Sequence, residues 1–110
     1  MLVLDREHVR QAGAENAARQ AVSFLTREGG PPDGFWIHLD ADVFDETIMR
    51  SVDDPRPNGL TWDEGIAVLR TALASDRAAG LQAAIYNPDI DTDGADGRGL
   101  AAAIRDALAL

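Results

Sequence analysis

Phe35-Trp36-Ile37-His38-Leu39-Asp40-Ala41-Asp42 is the stretch whose reading decides the fold. Its first five residues form a short apolar and aromatic run, bounded by Asp33-Gly34 before it and by Asp40 after it. The run is too short for a helix and rich in strand formers, so it predicts a buried strand. Upstream, Ala14, Ala17, Ala18, Ala21, Val22 and Leu25 recur at helical spacing. They predict one helix from residue 6 to about residue 28, stopped by Gly29-Gly30-Pro31-Pro32. Downstream, residues 41–60 hold Asp53-Asp54-Pro55-Arg56-Pro57-Asn58-Gly59, too many breakers for a regular element, and predict a long loop of the kind that carries function.

The second half repeats the alternation. Thr61-Trp62-Asp63-Glu64 is a capping box, in which the Thr61 hydroxyl accepts from the Glu64 amide and the Glu64 carboxylate answers the Thr61 amide. A helix with an apolar stripe of Ile66, Leu69 and Leu73 follows to about Asp76, with Ala79-Gly80 ending the segment. Leu81 to Tyr86 predicts a second strand, closed by Asn87-Pro88, and a last helix runs through Leu100, Ile104 and Leu108. Helix, strand, helix, strand, helix implies parallel strands joined by a right-handed crossover, an α/β layer fold. Two strands, or three if residues 1–4 contribute, are too few for a parallel sheet that is normally covered on both faces. The chain is therefore expected to be part of a larger sheet.

Composition narrows the chemistry. With 10 basic against 19 acidic residues in 110, the net charge is −9, and every basic residue is Arg. Nucleic acid and anionic membrane are poor partners for such a surface, and cations are better ones. Cysteine is absent, which removes disulfides, thiolate metal sites and a cysteine nucleophile together. Residues 1–8 turn charged too quickly for a signal peptide, and no apolar run reaches membrane-span length, so a cytoplasmic protein is the expectation.

Asp40 and Asp42 lie at the carboxyl end of the first strand, the end at which open α/β sheets collect ligands. Residues two apart on an extended chain point to one side, so the two carboxylates can converge on one point. Two such anions repel unless a proton or a cation sits between them, and with Asp45 nearby a divalent ion such as Mn²⁺ or Mg²⁺ is the natural mate. The other reading is that both acids cap the following turn and face water. His38 shares their side of the strand and is either a further ligand or, as strand histidines more often are, a hydrogen-bonded support. His8, at a helix start, reads as a solvated surface residue. Asp89-Ile90-Asp91-Thr92-Asp93-Gly94 imitates the opening of a calcium loop, but the twelfth position is Leu100 instead of Glu, and the segment reads as a turn with capping carboxylates.

Trp36-Ile37-His38-Leu39-Asp40-Ala41-Asp42-Val43-Phe44-Asp45, the acidic Pro-containing loop, Asn58-Gly59-Leu60-Thr61-Trp62-Asp63-Glu64, and Gly80-Leu81 through Tyr86-Asn87-Pro88 occur in an order that resembles the arginase, agmatinase and formimidoylglutamase family of ureohydrolases. The resemblance covers about the last two-thirds of the chain. It implies a three-layer α/β/α sandwich, of which residues 1–110 would be a single partial domain, the carboxy-terminal segment. It further implies two Mn²⁺ ions that activate hydroxide for attack on a guanidinium-type carbon. By motif position Asp40 resembles the carboxylate that bridges both ions, Asp42 a ligand of one, and Asp45 a supporting acid. The chain departs from the family in three places. The family's isolated His ligand and its Asp-x-His-x-Asp segment have no counterpart here. The Glu that grips a guanidinium two residues before Asn-Pro is Ile85, and Glu46 stands where Pro is common.

The resemblance thus implies an arginase-family metallohydrolase segment that cleaves a guanidino- or formimino-type C–N bond of a small molecule once completed. Completion would come from an amino-terminal part on another chain or a longer transcript, and a homo-oligomer is the other expected assembly. Two acids on one strand end cannot hold two ions, so this chain alone is expected to bind Mn²⁺ weakly or not at all and to show no turnover. A non-catalytic remnant or interaction module with an exposed sheet edge is the main alternative. A haloacid-dehalogenase-like phosphatase, with Asp40 as nucleophile and Asp42 as acid/base, fits less well because that chemistry wants a Lys and there is none.

Overall fold

The computed structural model describes residues 1–30 and 32–109, so Pro31 of the expected helix stop lies outside the described residues. The regular elements are α1 (Arg6–Ala12), α2 (Ala14–Leu25), β1 (Phe35–Asp40), α3 (Trp62–Leu73), β2 (Ala78–Ala84) and α4 (Ala95–Leu108). β1 and β2 pair in parallel, with Trp36 opposite Gly80, His38 opposite Gln82 and Asp40 opposite Ala84. The α/β class and the parallel pairing are as expected. Residues 1–4 form no strand.

Several boundaries differ from expectation. The single amino-terminal helix is two, because Gly13 takes φ 88 and ψ 147 between them; this backbone ends α1 through a Gly13 N–H bond to Val9 O and lets α2 start afresh. His8 is accordingly half-buried, with its Nε2 2.6 Å from Gln20 Oε1 across the break. The second helix stops at Leu25, before the glycines, where the Thr26 hydroxyl donates back to Val22 O. α3 stops at Leu73, and Gly80 lies inside β2. Gly80 is there for space, since a Cβ at that position would enter the Trp36 ring. β2 ends at Ala84 and not at Tyr86, because Ile85 turns the chain with φ 77. At the start of α3, Thr61 Oγ1 accepts from Glu64 N–H at 3.1 Å, but Glu64 answers through Oε1 on the Thr61 hydroxyl, and its Oε2 is buried without a hydrogen-bond partner.

One face of the sheet, with Ile37, Leu39 and Leu81, packs on Leu69 and Leu73 of α3 and on Leu100, Ile104 and Ala107 of α4. The opposite face carries Trp36, His38 and Gln82, all exposed. The expected long loop is irregular, yet it supplies the deepest part of the core: Phe44 and Met49 are 1% and 0% exposed. Phe44 lies against Trp62, ring centroids 4.4 Å apart, and beneath Gly65 of α3. A Cβ on Gly65 would overlap the Phe44 ring, so α3 approaches the loop this closely only because that position has no side chain. Gly65→Ala is expected to destabilise the fold by about 1–3 kcal/mol through overpacking, read as a lower urea midpoint at unchanged slope.

Candidate functional site

The chain leaves β1 at Asp40 (φ −85, ψ 127) and enters a short 3-10 turn, Ala41–Val43. Asp42 is therefore in the turn, and strand alternation does not account for its position. Asp40 and Asp42 nevertheless both line one open cavity of about 400 Å³, together with Ile37, His38 and Leu39 of β1 and with Val43, Leu60, Val68 and Leu69. His38 Nε2 lies 2.7 Å from Asp40 Oδ1, and both side chains remain about half exposed, 53% and 45%. One oxygen of Asp40 is thus held by an imidazole while the side chain stays about half exposed. No three His, Asp or Glu side chains among the described residues gather closely enough to hold a metal ion. The carboxylate–imidazole pair of Asp40 and His38 has the right chemistry for a hard or borderline divalent ion, but Asp42 does not complete a three-member group with it.

Asp45 faces away from this cavity and into the loop. Its Oδ2 accepts from the Thr47 hydroxyl at 2.5 Å and the Thr47 amide at 3.0 Å, and its Oδ1 accepts from Gly59 N–H at 3.1 Å. The same residues are laced through the backbone: Asp45 N–H donates to Leu60 O, and Leu60 N–H to Val43 O, forming the Phe44–Leu60 bridge. Gly59 has no room for a Cβ against the Asp45 amide. From outside, Arg10 donates to Gly59 O at 2.9 Å, and Arg6 and Arg10 both reach Asn58 O. Asp45 therefore staples the two ends of the loop beneath the turn that carries Asp42.

The far side of the rim is held by a second set of acids. Asp96, in the first turn of α4, accepts from the amides of Arg50 and Ser51 and from the Ser51 hydroxyl, at 2.9, 2.9 and 2.8 Å. Asp91 accepts from Tyr86 Oη at 2.6 Å and from the amides of Asp96 and Gly97. The Tyr86 hydrogen bond lowers the Asp91 pKa and raises that of Tyr86. Asp93 accepts from Ala95 N–H. The segment that imitates a calcium loop thus spends Asp91 and Asp93 on capping α4. What the sequence reading missed is Ser51 and Asp96 as the tie between loop and helix. Their signal, a Ser among loop acids and an Asp in a helix's first turn, is common to many structural contacts.

Parallel strands under a helical layer, with paired acids at the carboxyl rim of the first, define a class of α/β ligand-binding architecture. Comparison with known proteins makes this specific: the arginase family model matches residues 1–110, and the chain belongs to the arginase family. A curated relative, an N(1)-aminopropylagmatine ureohydrolase of Thermus thermophilus, is 27% identical over 94 residues, covering 78% of this chain and 32% of that protein. Among solved structures, Entamoeba histolytica arginase in complex with L-ornithine superposes with a TM-score of 0.85 at 15% identity, over 97% of this chain and 35% of that one. Trypanosoma cruzi formiminoglutamase with Mn²⁺ superposes with a TM-score of 0.75 at 20% identity, over 92% and 33%. The chain spans about a third of the length of these relatives. No helix among the described residues is long and apolar enough to cross a membrane.

The Asp45 staple sets a pH dependence. The Thr47 hydroxyl first, then the Thr47 amide, hold the Asp45 carboxyl below its ordinary value of 3.8. A lowered folded-state pKa contributes stability that is present above the ordinary carboxylate range and is lost as pH falls through the lowered value. Asp45→Asn, which sets an amide N–H₂ among donors, is expected to lower Tm at neutral pH, and the gap to wild type should narrow in acid below 3.8. A gap that stays constant through acid would count against the ionised staple.

Proposed function

We propose that residues 1–110 form a single partial domain, the carboxy-terminal segment of an arginase-family metallohydrolase, and that the completed protein hydrolyses a guanidino- or formimino-type C–N bond of a small molecule with Mn²⁺. The observation that carries this reading is that Asp40 and Asp42 both line one cavity at the carboxyl end of β1 in a chain of this family. The Trypanosoma cruzi neighbour was solved with Mn²⁺, and the Thermus relative is named a ureohydrolase, which favours this metal and this reaction class. In the proposed site Asp40 and Asp42 are the metal ligands. His38 orients Asp40 through its 2.7 Å contact, and Asp45 supports the turn from below.

When bound, a divalent ion supplies electrophilic polarisation and acidifies water near neutral pH. This chain's own residues supply the anionic charge that would draw the cation, the hydrogen bond that fixes one oxygen of Asp40, and an apolar wall of Val43, Leu60, Val68 and Leu69 that limits water on one side. Two carboxylates cannot hold two ions close together, so the remaining ligands belong to further polypeptide, which also fits a chain one third of its relatives' length.

Mn²⁺ titration followed by NMR tests the reading, because the paramagnetic ion broadens nearby amides. Selective broadening at residues 38–43 is expected, with a dissociation constant of about 10⁻⁴ M or weaker. Asp40→Asn should abolish the selectivity. Broadening spread evenly over the 19 acidic residues would sink the assignment, and submicromolar binding by calorimetry would sink the claim that the site is partial.

A further inference from the structure

Asn58-Gly59 carries a chemistry that the acid rim does not use. The chain has three asparagines, Asn16, Asn58 and Asn87. An Asn side chain closes to a succinimide when the nitrogen of the following residue attacks its carboxamide carbon, so that residue must have an N–H and little bulk. Asn87 precedes Pro88, which has no N–H, and Asn16 lies inside α2 with its Nδ2 donating to Ala12 O at 2.9 Å. Asn58 precedes a glycine, is exposed, and lies in a turn with φ 60, which Asn tolerates. Arg6 and Arg10 donate to its main-chain carbonyl, and its carboxamide has no hydrogen-bond partner among the described residues.

The attacking nitrogen, by contrast, is engaged. Gly59 N–H donates to Asp45 Oδ1 at 3.1 Å, and Gly59 O accepts from Arg10 at 2.9 Å. Ring closure requires this nitrogen to give up its proton and turn toward the Asn58 side chain. An anion forming there would stand beside the Asp45 carboxylate, and like charges oppose that ionisation. The rotation would also break both bonds at a residue packed too closely on Phe44 and Asp45 to admit a Cβ.

We propose that Asn58 is a deamidation site held latent by Asp45, which keeps the Gly59 nitrogen from the Asn58 carboxamide until the loop opens. In the reaction hydroxide takes the Gly59 proton, the N–Cγ bond forms, and the carboxamide C–N bond breaks, its nitrogen taking a proton from water and leaving as ammonia. Water then opens the ring at either carbonyl, to give Asp or isoaspartate at residue 58. Isoaspartate lengthens the main chain by one methylene, so the Gly59 N–H loses its register with Asp45 Oδ1. A transient local opening thereby becomes a permanent loosening of the loop at whose head Asp42 sits.

The full chain is incubated at mildly alkaline pH, native and in urea, and conversion of each asparagine is followed by tandem mass spectrometry. In urea Asn58 is expected to convert ahead of Asn16 and Asn87, and at one rate in wild type, Asp45→Ala and Arg10→Ala. Native wild type should convert at about a tenth of that rate or below, the factor that one hydrogen bond to a charged group is worth, and Asp45→Ala should recover most of the difference. Arg10→Ala, which trims an exposed side chain, should recover part of it, and decides the matter if Asp45→Ala does not fold. Thr47→Ala, which removes a bond to the other Asp45 oxygen and keeps the one to Gly59, should convert like wild type. Native conversion as fast as in urea overturns the proposal, as does an Asn58 that does not lead in urea. It is equally overturned by a folded Asp45→Ala that converts no faster than wild type, or by a Thr47→Ala that matches it, which would assign the effect to general destabilisation.

Discussion

Parallel pairing of β1 with β2 is the constraint on which the rest of the molecule depends. Two parallel strands end at the same rim, so the crossover through α3 brings Asp40 and the end of β2 side by side although Asp40 and Ala84 lie 44 positions apart in the sequence. The same crossover puts α3 on one face, where Leu69 and Leu73 meet Leu39 and Ile37. An antiparallel hairpin would send the two strand termini to opposite edges and leave the acids without a neighbour. Fold and candidate site therefore share one cause.

The connection between β1 and α3 shows how an irregular segment can be rigid. Phe44 and Met49 bury themselves where a helix or strand residue would otherwise sit, and Asp45 satisfies three donors of the loop with its two oxygens. Gly59 and Gly65 contribute by lacking a Cβ, the first beside the Asp45 amide and the second beneath the Phe44 ring. Fixing the loop fixes the turn at its head, and Asp42 rides on that turn. The polar network and the packing thus converge on a side chain that belongs to neither.

Legibility from sequence follows the range of the interactions involved. β1 is readable because an apolar run between Asp33-Gly34 and Asp40 has few other solutions, and the N-terminus of α3 because Thr61 and Glu64 interact within four residues. The break at Gly13 carries its own signal, but the helical spacing of the alanines around it outweighs a single glycine. Gly80 reads as a helix stop because its true reason, the Trp36 ring, lies on the other strand. The strand alternation that pairs Asp40 with Asp42 in the sequence holds for Asp40 and fails for Asp42, which lies in a 3-10 turn and still lines the same cavity. Ile85 gives no conformational signal at all, since nothing in Ala84-Ile85-Tyr86 announces a positive φ.

The uneven dressing of the sheet bears on why the acids stay accessible. On the helix-covered face the strands contribute Ile37, Leu39 and Leu81, and the burial of this face against α3 and α4 accounts for the cohesion of the unit. On the other face the residues are polar or small, His38 and Gln82 beside Gly80, with Trp36 laid across the glycine. A sheet apolar on both faces would collapse or aggregate if one side lacked its cover. A sheet with one polar face tolerates exposure, and the His38–Asp40 pair holds its 2.7 Å contact while half exposed. The stability of the unit thus resides on the α3/α4 face, and the candidate acids sit at its rim, where Leu69 belongs to the core and to the cavity lining alike.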